Sequence, residues 1–359
     1  MSVPAAGEMQ GVRGSQESPA EVPPEDGRTT TAWQVPVLGE PQDVMRQVEV
    51  RVPGPGEGEV LVEVWSAALN FPDVLLARGA YQDKPPLPFT PGVELCGEIV
   101  GVGPGVEPTR LGSRVVGMPR LPHGALAGYA LARSVDMLPA PAAFDDATAS
   151  AFVIAYHTAW FGLYRRAGLR VGETLLVHAA AGGAGSAAVQ LGRLAGARVI
   201  AVVGGREKAE VARGLGADVV IDRTARDIIP AIKEAVGDKG VDVVYDPVGG
   251  DAYTASTKVI AFEGRIVVVG FAGGTIPTVA LNHALVKNYS ILGLHWGLYR
   301  TRRPDLIRRA HEELMTFAAA DAVRPLVSRR LAFGEAAEGL AALASGSTVG
   351  RLTVAPPQI

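Results

Sequence analysis

The run Ala179-Ala180-Ala181-Gly182-Gly183-Ala184-Gly185 carries the plainest chemistry in this sequence. Ala179, Gly182 and Gly185 give an AxxGxxG spacing between an apolar run, TLLVHA, and a helical pattern, GSAAVQLGRLAG. Small residues at such a strand-to-helix turn leave backbone N–H groups and the positive end of the helix dipole open to phosphate. Helix–sheet packing alone would also favour small residues here. The turn nevertheless sits in a complete βαβ pattern, with RVIAVV as the next strand, and that context points to the pyrophosphate of a dinucleotide.

A unit that holds NAD carries a carboxylate about 20 positions beyond the loop, where it accepts the ribose hydroxyls. After RVIAVV this chain reads Gly204, Gly205, Arg206, Glu207 and Lys208. No carboxylate ends the strand, and two cations follow it. That suits a 2′-phosphate and therefore NADPH, with solvated helix charges as the plainer account of Arg206 and Lys208.

Metal chemistry has few candidates. A catalytic zinc needs three Cys, His or carboxylate ligands around an open position. The chain has six histidines and one cysteine, Cys96, with no HxxxH or CxxC spacing, so no metal is expected. His178 falls inside an apolar strand and reads as a core histidine; Cys96, mid-strand, reads as a small buried hydrophobe. A single cysteine also excludes an internal disulfide framework and points to a reducing compartment, the cytoplasm.

These residues need elements to hold them. At 359 residues, with about 150 per domain, two domains are expected. The composition, 48% apolar and 20% charged with a net charge of −3, is that of a soluble globular protein without a basic nucleic-acid footprint. No stretch reaches the roughly 18 apolar residues of a membrane span. Residues 1–28, rich in Pro, Gly, Glu and Ser, read as a disordered leader. From about Trp33 to Leu138 the pattern is short strands and turns, with Val60, Val62 and Val64 alternating with polar residues, and one short helix, FPDVLLA, closing near Gly79. From about Ala155 to Leu294 apolar strands alternate with helices, the signature of a parallel sheet covered on both faces. The fold class is therefore α/β: a mostly-β domain, residues 29–154, interrupted by a Rossmann domain, 155–294, and completed by a return segment, 295–359.

The runs NFPDVLLARGAYQDKPPLPFTPGVELCGEIVGVGPGV, AAAGGAG, VDVVYDPVGGD and KNYSILGLHWGLY closely resemble the zinc-free quinone oxidoreductases, the zeta-crystallin-like branch of the medium-chain dehydrogenase/reductase superfamily. The resemblance runs from about Thr31 to Pro356. It implies a GroES-like catalytic domain, with the active-site cleft at its junction with the cofactor domain. Where zinc alcohol dehydrogenases carry a cysteine and a GHE motif, this chain has LNF and GVE, with Val93 in place of the histidine. The resemblance further implies that Asn70 and Thr158 contact the nicotinamide end and that Tyr81 lines the substrate cleft. It gives Lys208 the 2′-phosphate, Gly204 the adenosine ribose, and Val269, Gly270 and Phe271 a backbone contact to the nicotinamide. Arg223 stands where many relatives have tyrosine near the adenine, and Asp246 reads as a strand-end residue rather than an acid. It also implies a homodimer joined along the SILGLHW edge; Trp296 and Tyr299 could line either the cleft or that contact.

Hydride transfer without a Lewis acid favours an acceptor that spreads negative charge onto an oxygen, so a quinone or a conjugated enone is the expected substrate. Tyr81, a phenol protonated at neutral pH, is the expected donor to that oxygen. Two alternatives stay open. An enoyl-thioester reductase would need a basic groove, for which Lys84, Arg120, Arg300, Arg302 and Arg303 are candidates. A non-catalytic nucleotide-binding protein would keep the loop and lose the chemistry.

Overall fold

The computed structural model describes residues 25–357. Residues 1–24 of the expected disordered leader lie outside them; its last four positions belong instead to a strand, Glu25–Gln34. It pairs antiparallel with Arg46–Pro53 in a two-stranded sheet that adds to the strands expected from sequence.

The catalytic domain is built on a seven-stranded sheet organised by its longest member, Glu59–Ala68. Leu95–Val102 runs along one side of it. The other side is shared: Tyr129–Arg133 pairs with its first half, and Arg351–Val354, from the far end of the chain, with Ala67 and Ala68. Val60, Val62 and Val64 are buried and pack with Leu95, Ile99, Leu126 and Leu352 into one core, so the predicted alternation does face inward. The return segment also contributes Val327–Leu331, parallel to Arg351–Val354.

The cofactor domain is a six-stranded, all-parallel sheet. Its spatial order is Val219–Asp222, Arg198–Val203, Thr174–His178, Val241–Asp246, Ile260–Val268, Ser290–Gly293. Numbered along the chain this is 3-2-1-4-5-6, the doubly wound order whose ligands bind beyond the carboxyl ends of the strands where the winding reverses. Thr174–His178 is buried along its whole length, which explains its unbroken apolar reading. His178 hydrogen-bonds Ser256 Oγ at 2.8 Å, as expected of a core histidine.

The domains meet at helix Val153–Trp160, which crosses the boundary expected at 154/155 and continues as a widened turn over Phe161–Arg166. Helix Pro304–Ala319 packs on it: His157 Nε2 meets His311 Nδ1 at 3.2 Å, and Trp160 Nε1 donates to Glu313 at 3.0 Å. Trp296 lies edge-on to His157 and Tyr299 against Phe161, so both aromatics pack into this junction.

Candidate active site

The glycine turn is as tight as its composition suggests. Gly182 precedes helix Gly183–Leu194, and Ala179, at φ +49°, turns the strand into it. A Cβ on Gly185 would come within 2.2 Å of the Ala179 carbonyl oxygen. Ala181 and Ala184 complete a small-residue lining. The catalytic domain abuts this loop: Gly350 N donates to Ala181 O at 2.7 Å, and the Arg351 side chain lies where a Cβ on Gly183 would be, 2.6 Å away.

Arg351 is the residue that sequence reasoning missed. Its guanidinium, 7% exposed, pairs inside the catalytic domain with Glu94, which is fully buried. Glu94 Oε2 also accepts from Asn70 Nδ2 at 3.0 Å, and Oε1 from Ile154 N at 2.7 Å. Asn70 in turn accepts Arg351 Nη1 on Oδ1 at 2.7 Å and gives its second amide hydrogen bond to Ala68 O. Burial pushes the Glu94 carboxyl up, opposed first by the Arg351 charge. Arg351 Nε has no partner among the described residues. The GVE motif contained Glu94, but nothing near position 351 signalled its counter-ion.

Asp73, fully buried on helix Phe71–Ala77, fixes the same turn. It accepts from Asn70 N at 2.9 Å, Gly92 N at 2.9 Å and Val93 N at 3.1 Å.

Tyr81, expected to line the substrate cleft, is half-buried, and its hydroxyl titrates above the ordinary value of 10 because of burial, then the Asp83 and Asp73 charges. Its neighbour Gln82 bridges to His295 Nε2 at 3.1 Å. Arg300, also close enough to act on Tyr81, is held by Asp136 through two hydrogen bonds, 3.1 and 2.6 Å. A small cavity beside Arg300 is lined by Met118, His157 and Trp296, and not by Tyr81. A larger one, about 180 Å³, lies under the two-stranded sheet beside Thr90, His123 and Tyr129, and its walls include neither Tyr81 nor the glycine loop. Thr158 is buried and donates to Ile154 O at 2.5 Å, which commits its proton and leaves its lone pairs as acceptors.

Along the sheet's carboxyl edge, Val269 and Gly270 are partly accessible and Phe271 is exposed. Asp246 accepts from Val248 N and Gly249 N, a strand-end role. The second strand ends at Gly204 and Gly205, the latter at φ +99°. The cations expected behind it diverge. Lys208 Nζ donates to Gly346 O at 2.6 Å, beside the strand end, whereas the Arg206 side chain is 92% exposed and paired with Glu210. Arg223, from the neighbouring strand's end, lies over Gly204.

Of the five cations named for a basic groove, Lys84, Arg120, Arg300, Arg302 and Arg303, three are matched to carboxylates. Arg120 pairs with Glu59, Arg300 with Asp136 and Arg303 with Asp305. Among the described residues no group of three or more His, Cys, Asp or Glu is placed to hold a metal ion, and no helix is long and apolar enough to cross a membrane.

Residues 56–142 match the alcohol dehydrogenase GroES-like domain, and residues 183–312 the zinc-binding dehydrogenase family. The quinone oxidoreductase-like protein 2 of Bos taurus is 37% identical over 74% of this chain and 76% of its own. The quinone oxidoreductase of Escherichia coli, solved in complex with NADPH, superposes with a TM-score of 0.84 at 30% identity, covering 91% of this chain and 100% of that one. A stretch amounting to 16% of the phthioceranic/hydroxyphthioceranic acid synthase of Mycobacterium tuberculosis aligns with 95% of this chain at 30% identity. A GroES-like sheet interrupted by a doubly wound cofactor domain is the medium-chain dehydrogenase/reductase architecture. The chain belongs to the quinone oxidoreductase branch of that superfamily.

Proposed function

We propose that this protein transfers hydride from NADPH to a quinone or to the conjugated C=C of an enone, without help from a metal. The observation that carries the reading is the occupation of Glu94. Val93 offers no donor atom, and the carboxylate beside it is consumed by Arg351, Asn70 and Ile154 N, so a divalent cation would meet a guanidinium instead of a ligand set. A substrate oxygen is then left to hydrogen-bond donors.

Tyr81 is the donor: its hydroxyl stays protonated through neutral pH and can follow charge onto a carbonyl oxygen. Bound NADPH supplies the hydride. Ala181, Gly182, Gly183, Ala184 and Gly185 hold its pyrophosphate, a fit supported by a turn that admits no Cβ at Gly185. Lys208, Gly204 and Gly205 face the adenosine end. Thr158, through its free lone pairs, and the backbone of Val269, Gly270 and Phe271 position the nicotinamide. Asn70 orients that end through backbone and shape, since its amide is spent on Glu94, Ala68 and Arg351.

Two copies join through the edge strand Ser290–Gly293, which has a neighbour on one side only among the described residues. Next to it, helix Leu281–Lys287 buries no residue, and Leu281, Leu285 and Val286 are about three-quarters exposed. The cytoplasm remains the proposed location.

The test is paired NADPH and NADH oxidation over a panel of quinones, enones and enoyl thioesters. NADPH-preferring turnover of a quinone or enone is expected. Stoichiometric zinc in the active protein, with activity lost on chelation, overturns the metal-free reading; tight NADPH binding with no acceptor reduced leaves a nucleotide-binding protein. Preferred turnover of the thioesters selects the second reading, an enoyl-thioester reductase, which the alignment with the synthase favours.

A further inference from the structure

We propose that Arg223 is the residue that selects the 2′-phosphate, acting as one jaw of a two-cation clamp whose other jaw is Lys208. This deepens the NADPH reading and rests on it. The strand order makes the clamp possible: Val219–Asp222 lies beside Arg198–Val203 in parallel register, Asp222 opposite Val203. Arg223, one residue past the strand end, is thereby delivered to the turn after the second strand, and its N–H donates to Val203 O at 3.0 Å. Its guanidinium crosses Gly204 so closely that a Cβ there would stand 3.1–3.4 Å from three of its atoms. The bare backbone of Gly204 and Gly205 opens the space a phosphate would fill.

The charges around this spot argue for an anion. The Arg223 side chain makes no hydrogen bond or ion pair among the described residues, whereas Arg300, Arg303 and Arg351 are each matched to a carboxylate. Lys208 is near enough that the Arg223 charge, after burial, helps push its ammonium's titration down. Two cations facing one site repel each other; the Glu207 charge offsets Lys208 less than the Arg223 charge opposes it, and a dianionic phosphate removes the remaining penalty. Asp222, next along the chain, feels the Arg223 charge but forms no ion pair with it: its Oδ1 accepts from Gly205 N, Thr224 N and Thr224 Oγ1 at 2.8, 2.9 and 2.7 Å, which turns it into its own loop. A guanidinium adds what an ammonium lacks, a planar fork that matches two phosphate oxygens at once. Lys208 retains donors for the phosphate while it holds Gly346 O.

The experiment is calorimetric titration of the purified protein and its Arg223→Gln and Arg223→Lys variants with adenosine 2′,5′-bisphosphate and with 5′-AMP. Wild type is expected to favour the bisphosphate. Arg223→Gln should weaken the bisphosphate about tenfold or more while 5′-AMP changes less than twofold, with Arg223→Lys between. Equal loss of both ligands in Arg223→Gln overturns the proposal in favour of an adenine contact, and no loss of either overturns it outright. A wild type that binds the two ligands equally removes the NADPH reading itself, whereas a wild type that prefers the bisphosphate alongside an unimpaired Arg223→Gln removes only the role of Arg223.

Discussion

Arg351 and Glu94 form a buried ion pair between residues 257 positions apart, and the same arginine side chain packs on Gly183 of the cofactor loop. Removing one member of such a pair leaves an uncompensated buried charge, at a cost of about 3–5 kcal/mol. Arg351→Met should therefore lower unfolding stability by that order, measured by chemical denaturation. The double variant Arg351→Met/Glu94→Gln should recover part of the loss, because it removes the stranded carboxylate as well.

Asp73 gives a pH signature. Burial pushes its carboxyl up to about 7 from an ordinary 3.8, against the three backbone N–H groups and the Arg351 charge that favour ionisation. A group raised in the folded state stabilises most when protonated in both states, below the unfolded value, and that contribution is lost as pH rises through the folded one. Stability should thus fall between about pH 4 and pH 7 by as much as about 1.4 kcal/mol per unit from this residue. In Asp73→Asn that slope should vanish, so the wild-type minus variant difference in unfolding free energy, followed from pH 4 to 8, isolates it.

Tyr81→Phe removes one hydroxyl from the cleft and little volume. Turnover of an enone should drop about 100-fold or more, the scale of a lost proton donor, while the dissociation constant for NADPH stays within twofold. Unchanged turnover and product stereochemistry would reduce Tyr81 to a wall of the cleft.

Leu285→Glu, on the unburied helix Leu281–Lys287, places a charge in the apolar surface beside the free sheet edge. Sedimentation at micromolar concentration should show a dimer for the parent chain and a monomer for the variant. A parent chain that sediments only as a monomer defeats the dimer.

Fold and loop were legible because their signals are local. Unbroken apolar strands, helix periodicity and the spacing of Ala179, Gly182 and Gly185 are each contained in a short window, and together they specify a parallel sheet with a tight glycine turn after its first strand. The site was less so. Arg206 and Lys208 look equivalent in sequence, yet they leave helix Arg206–Gly214 in different directions, one toward Glu210 and one toward the return segment. Arg223 gains its position from strand adjacency, which no window around it displays. The partner of Glu94 is a matter of which strands meet across the whole chain, and the two-stranded sheet of Glu25–Gln34 and Arg46–Pro53 is likewise a pairing rather than a pattern.

The antiparallel contact of Arg351–Val354 with Ala67 and Ala68 also sets an order of events during synthesis. All six strands of the cofactor domain have been synthesised by Gly293, so that sheet can close once they emerge. The GroES-like sheet must wait, with one side of Ala67 and Ala68 unpaired and Glu94 without its cation, until translation has passed Val354. The half of the enzyme that begins first is completed last, and until then it carries an open strand edge that the finished sheet lacks.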